Sequence, residues 1–162
     1  MNKVLIATFL LCILRGHAQD IIQLKQIDSL VTVTNYANFY TQQDSIIQDY
    51  PKLGLSMKTY LTQVRDQQEL KKFVNKVYVN REDNGVKTQS FASISFYYNH
   101  NKLIKVEDYG WEGKREFHDD WYYASGKPFY YTLQSEAAAD RANELLTMSD
   151  AMIKKSQGMN PK

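Results

Sequence analysis

Glu116, His118 and Asp120 stand at every second position of one short stretch, so in an extended chain their side chains project to the same side. An imidazole among carboxylates can relay a proton, and carboxylate oxygens with a ring nitrogen can hold a divalent cation. A tight turn at Glu112-Gly113 sets Lys105 opposite Asp120, Glu107 opposite His118 and Tyr109 opposite Glu116. Glu107, Glu116, His118 and Asp120 are therefore the candidate metal-binding or acid–base group. Zinc usually takes more nitrogen or sulfur ligands than one imidazole supplies, and cross-strand pairs of opposite charge are an ordinary sheet device. The expectation is accordingly no cofactor, with a divalent metal as the alternative.

Tyr97, Lys105, Tyr109, Tyr122 and Tyr130 fall on the same side, with Tyr78, Phe91, Ser93 and Ser95 around them. Tyrosine joins apolar area to a hydroxyl and loses little entropy on contact, which suits a recognition surface. These five residues are the candidate ligand-binding set, for a protein, a peptide or a glycan. The chain has no glycine-rich phosphate loop, nucleophile elbow, His-Glu-x-x-His run or cysteine nucleophile. Its basic residues are interspersed with acids, which argues against a nucleic-acid partner.

Two matching stretches define the elements that position these residues. Phe96-Tyr97-Tyr98-Asn99-His100-Asn101-Lys102 aligns with Trp121-Tyr122-Tyr123-Ala124-Ser125-Gly126-Lys127. Each reads as a strand end, a three-residue loop at 99–101 or 124–126, and a second strand. Asn84-Gly85 is the preferred pair for a type I′ turn. Five antiparallel strands follow, over 73–82, 87–98, 102–111, 114–123 and 128–134, joined as a meander. The loops set Phe96 opposite Ile104, Ile94 opposite Val106, Ile104 opposite Trp121, Trp121 opposite Phe129 and Val77 opposite Ala92. One face is then apolar, carrying Phe73, Val77, Ile94, Phe96, Ile104, Val106, Phe117, Trp121, Phe129 and Tyr131. Asp108 and Asp119 interrupt it, and their expected remedy is a bond to a helix or a place near the sheet margin.

The hairpin from Tyr122 to Lys127, Tyr-Tyr-x-x-Gly-Lys, resembles the aromatic hairpins of MORN-type repeats. The likeness covers two hairpins, about fifty residues. The first copy has Asn101 where those repeats carry Gly, and the flanking helices have no counterpart in them. The resemblance implies shared hairpin chemistry and carries no function.

Residues 20–72 read as helical. Leu24, Ile27, Leu30 and Val31 recur at helical spacing, although the β-branched run 31–34 also suits a strand or break. Asp44 to Tyr50 continues helically to Pro51. Ser56 can cap a second helix whose apolar face is Met57, Tyr60, Leu61 and Val64. Ser135 opens a C-terminal helix over 135–157 with Ala138, Ala142, Leu145, Ser149 and Met152 on one side. The expected fold is α+β: a five-stranded antiparallel meander with the N-terminal helices and the C-terminal helix packed on one face.

Residues 1–18 read as a secretory signal, with Lys3, an apolar run from Val4 to Leu14, and Gly16-His17-Ala18 before the cut. That run is shorter than the roughly 20 residues a spanning helix needs, so no stable membrane insertion follows its removal. Its loss takes away Lys3, Arg15 and Cys12, the one cysteine, leaving 18 of the 20 basic residues against 18 acidic ones. A neutral chain is not drawn to nucleic acid or an anionic membrane by its overall field. Residues 19–162 then read as one domain, exported to the periplasm or beyond. Its expected role is soluble binding through the tyrosine-rich polar face. The alternatives are an enzyme centred on His118 and its carboxylates, and a structural protein that oligomerises through sheet edges.

Overall fold

The computed structural model describes residues 20–133 and 135–158. The expected signal at 1–18 lies outside them. The chain divides into two compact units, the first ending at Tyr36 and the second beginning at Ala37. The first holds helix α1 over residues 20–36. Its β-branched run is helical, and there Thr32 and Thr34 donate their hydroxyls to the carbonyls of Asp28 and Leu30, at 2.8 and 2.9 Å. No helix among the described residues is long and apolar enough to cross a membrane.

The second unit is an antiparallel meander of seven strands with a C-terminal helix, so the fold is α+β. The strands are β1 Tyr40–Tyr50, β2 Leu55–Asp66, β3 Glu69–Asp83, β4 Val86–Asn99, β5 Lys102–Glu112, β6 Arg115–Ala124 and β7 Lys127–Tyr131. Helix α2 is Ala138–Gly158. The expected five strands become seven because 40–50 and 55–66 pair as β1 and β2 instead of forming helices. Met57, Tyr60, Leu61 and Val64 do recur at helical spacing, yet they divide between the two faces of a strand. Thr59, Thr62 and Val64 add β-branching, and the ladder to β3 prevails over the local pattern.

A short 3-10 turn, Pro51–Leu53, links β1 to β2 and closes on Gly54. Gly54 has φ 57°, and its amide bonds to the Pro51 carbonyl at 3.1 Å. A β-carbon there would strike the Glu82 carbonyl, so the connection requires glycine.

Turn chemistry sets the later registers. Asn84 and Gly85 both have positive φ, as a type I′ turn demands, and Val77 faces Ala92 as expected. His100–Asn101 and Ser125–Gly126 also have positive φ at both positions, and each pair makes a two-residue turn in place of the expected three-residue loop. A bulge follows each turn, between Tyr97 and Tyr98 on one ladder and between Tyr122 and Tyr123 on the other. The β5–β6 turn falls on Gly113–Lys114, one residue later than expected.

Phe96 therefore faces Val106, Ile94 faces Asp108, Val106 faces Trp121, and Trp121 faces Tyr131. Every slip is by two residues, so the division of side chains between faces survives. Only the bulged residues change. Leu103 enters the core instead of Ile104, and the Phe129 ring packs on Tyr122 of the opposite face.

The core joins Leu70, Phe96, Tyr98, Leu103, Val106, Trp121 and Tyr123 of the sheet to Ala142 and Leu145 of α2. Alanines let the helix approach closely, and the Tyr123 hydroxyl donates to the Ala142 carbonyl at 2.9 Å. Asp108, half-buried on this face, pairs with Arg141 of α2 at 3.6 Å. That is the helix partner the sequence required.

Candidate functional site

The face opposite the core is built from rows of residues running across the strands. One row sets Lys72, Tyr97, Lys105, Tyr122 and Tyr130 side by side on β3 to β7. Ammonium groups sit over rings along it: Lys72 Nζ lies 4.7 Å from the Tyr97 centroid, and Lys105 Nζ 4.8 Å from that of Tyr122. Tyr97, Lys105 and Tyr122 are only 2, 6 and 6% exposed. Of the five residues expected to meet a ligand, Tyr109 and Tyr130 alone are exposed.

A buried ammonium needs compensation, and Lys105 has it. Its Nζ lies 3.1 Å from Glu107 Oε1 and 3.2 Å from Asp120 Oδ2. The Tyr97 hydroxyl donates to Glu107 Oε2 at 2.7 Å. Burial alone would depress the Lys105 pKa, but the Tyr122 hydrogen bond and the Asp120 and Glu107 charges outweigh it. The ammonium is held well above the ordinary lysine range. Lys72 goes the other way: burial lowers its pKa, Glu107 opposes that, and Lys76 adds to it.

The four candidate metal ligands are divided by this arrangement. Glu107 faces Asp120, not His118, and Lys105 supplies a positive charge between them. His118 faces Tyr109; its Nε2 lies 3.4 Å from Asp120 Oδ1, an ion pair when the ring is protonated. Glu116 faces Trp111, two residues further along the strand. Among the described residues no group of three or more His, Cys, Asp or Glu is placed to hold a metal ion.

Two rows away from the buried end, the same face changes character. One row is Ser45, Tyr60, Lys76, Ser93, Tyr109 and His118; the next is Ile47, Lys58, Tyr78, Phe91, Trp111 and Glu116. Their rings touch in sequence. Tyr60 meets Tyr78 edge-on at 5.9 Å, Tyr78 meets Phe91 at 4.7 Å, and Phe91 meets Tyr109 and Trp111 at 6.1 and 6.3 Å. Tyr109 closes the series edge-on to His118 at 6.2 Å.

The band crosses five strands, roughly 20 Å at the usual strand spacing. Tyr78 and Tyr109 are 41 and 39% exposed. Lys58 and Lys76 flank Tyr60 and Tyr78 at a shallow recess that also includes Gln43, and Lys58 Nζ lies 4.9 Å from the Tyr60 centroid.

Tyr109, Tyr78 and Phe91 belong to the face expected from the sequence. Tyr60 and Lys58 were hidden by the helical reading of β2, since a helix would have turned Tyr60 into a core. Trp111 was legible in principle: it shares the parity of Tyr109 and Glu107. The chain matches no protein-family model, no curated protein and no solved structure.

Proposed function

We propose that this protein is a binding domain whose contact surface is the aromatic band on the open sheet face. One observation carries the reading: Tyr60, Tyr78, Phe91, Tyr109 and Trp111 form a continuous series of touching rings on the face that does not build the core. Aromatic rings locked against one another lose little freedom on contact, and tyrosine hydroxyls satisfy polar groups at the same surface. The flanking Lys58, Lys76 and His118 favour acceptor-rich ligands, such as peptide carbonyls or sugar hydroxyls. A chain-like ligand, a peptide or a glycan, would lie across the strands along the band. With the export signal read from residues 1–18, this surface would act in the periplasm or outside the cell.

Trp111 is a built-in reporter, because Trp121 is buried in the core and shielded from ligand. Peptide and glycan arrays probed with wild type and with a Tyr78→Ser/Tyr109→Ser variant test the reading. Bound species should perturb Trp111 emission, and the double variant should lose at least tenfold in affinity. Equal binding by both proteins would refute it.

A further inference from the structure

We propose that two copies of this chain pair through β1, edge to edge and antiparallel, making one continuous sheet across the dimer. The two edges of the sheet are unlike. β7 has five residues, contains Pro128, adjoins a bulge and packs against α2. These are the devices that protect an edge from further pairing. β1 has eleven residues, all exposed, with no lysine, no internal proline and no register shift against β2. It presents Tyr40, Ile46, Ile47 and Tyr50 to solvent, and its outer side pairs with no other strand among the described residues; the Ser45 amide bonds to Asp44 Oδ1 at 2.8 Å, a bond that dimer pairing must displace or share.

The sequence of β1, Tyr-Thr-Gln-Gln-Asp-Ser-Ile-Ile-Gln-Asp-Tyr, repeats itself about Ser45 at two of five pairs, Tyr40 with Tyr50 and Gln42 with Gln48. Antiparallel pairing centred there sets Tyr40 against Tyr50, Gln42 against Gln48, and Ser45 against Ser45 of the second copy. Asp44 then meets Ile46 and Asp49 meets Thr41, so no carboxylate faces its like. Centring on Asp44 would set that residue against itself, and an Ile46 centre would leave Tyr40 and Thr41 outside the ladder. The Ser45 register uses the whole strand and would form about ten main-chain hydrogen bonds. It also keeps even-numbered side chains on the core side of both copies, so the two sheets continue without a change of face.

Light scattering after size exclusion should show a dimer for wild type, and hydrogen exchange should show β1 amides that gain protection as concentration rises. Ser45→Lys, at an exposed position, opposes two ammonium groups only in the dimer, and Ser45→Glu opposes two carboxylates. Each variant alone should be monomeric, with the unfolding midpoint that wild type shows when diluted until it too is monomeric. An equimolar mixture should regain the dimer, since lysine then faces glutamate. A monomeric wild type, a dimer that survives Ser45→Lys, or a mixture that fails to pair would each overturn the proposal. Protection on dimerisation located outside β1 would do the same, even if a variant folds poorly.

Discussion

Lys105 Nζ lies 3.2 Å from Asp120 Oδ2 although the two residues do not face each other: Lys105 faces Tyr122, and Asp120 faces Glu107. The ammonium therefore reaches diagonally between rows and joins two carboxylates while lying over the Tyr122 ring. Lys105→Met would leave Glu107 and Asp120 facing each other without that charge. The expected loss is about 3 kcal/mol, as for other buried pairs that lose one member. Because the folded pKa is raised, this contribution is complete below the ordinary lysine value of 10.5 and disappears as pH rises through the folded value. Urea unfolding of both proteins at neutral and alkaline pH measures it. A constant gap up to pH 10.5 that narrows above it is the expected result.

Much of the sheet was legible because side-chain alternation has a period of two. A turn misplaced by one residue, or a turn error compounded by one bulge, moves partners by two and leaves faces intact. Trp121 thus points inward and His118 outward, although every expected partner around them is displaced. The bulges were not legible, since Leu103 and Ile104 are equally apolar and only the packed core selects the first. The β1–β2 hairpin was misread for a different reason. β1 is exposed throughout and β2 half-exposed along nearly all its length, so no strong alternation marks either strand, and the chance spacing of Met57, Tyr60, Leu61 and Val64 prevails in the sequence. The candidate site suffered accordingly, because Tyr60 lies on that hairpin.

Asp108 makes stability depend on acid pH in the opposite sense to a well-paired carboxylate. Burial raises its pKa above the ordinary 3.8, Arg141 partly offsets that, and Asp119 directly across the ladder adds to it. The folded state then holds a proton that the unfolded state has released, so this site's contribution is greatest below 3.8 and falls as pH rises through the folded value. Asp108→Asn should remove that slope. Arg141→Met should push the transition to higher pH, because the opposing charge is gone. Urea midpoints recorded across the acid range distinguish the three proteins, and an unchanged slope in the asparagine variant would rule out the assignment.

Tyr123 ties the sheet to α2 through its hydroxyl on the Ala142 carbonyl. Tyr123→Phe keeps the ring and removes one buried hydrogen bond, for an expected loss of about 1 kcal/mol. Burial also raises the phenol pKa of Tyr123 and of Tyr98, an effect that Arg141 moderates at Tyr123 and Ser149 at Tyr98. Both phenols should stay protonated beyond the ordinary 10.0 and ionise only as the protein unfolds. Phenolate absorbance followed during alkaline titration should show that late, cooperative step, and it should be smaller in Tyr123→Phe.

Gly110 on β5 lies between Ala92 of β4 and Phe117 of β6. A β-carbon there would lie 2.5 Å from Phe117 Cζ and 2.6 Å from the Phe91 carbonyl oxygen. The Phe117 ring faces Gly110 across the ladder and is partly exposed, so it can swing aside. The Phe91 carbonyl belongs to the neighbouring strand and cannot move without disturbing the pairing on which the aromatic band depends. Gly110→Ala should therefore cost about 2 kcal/mol, the usual scale of overpacking. Adding Phe117→Ala removes the ring but not the carbonyl, so the double variant should recover little of that loss. Thermal unfolding of the four proteins in this cycle separates the two contacts: full recovery would assign the strain to the ring and leave the backbone free to adapt.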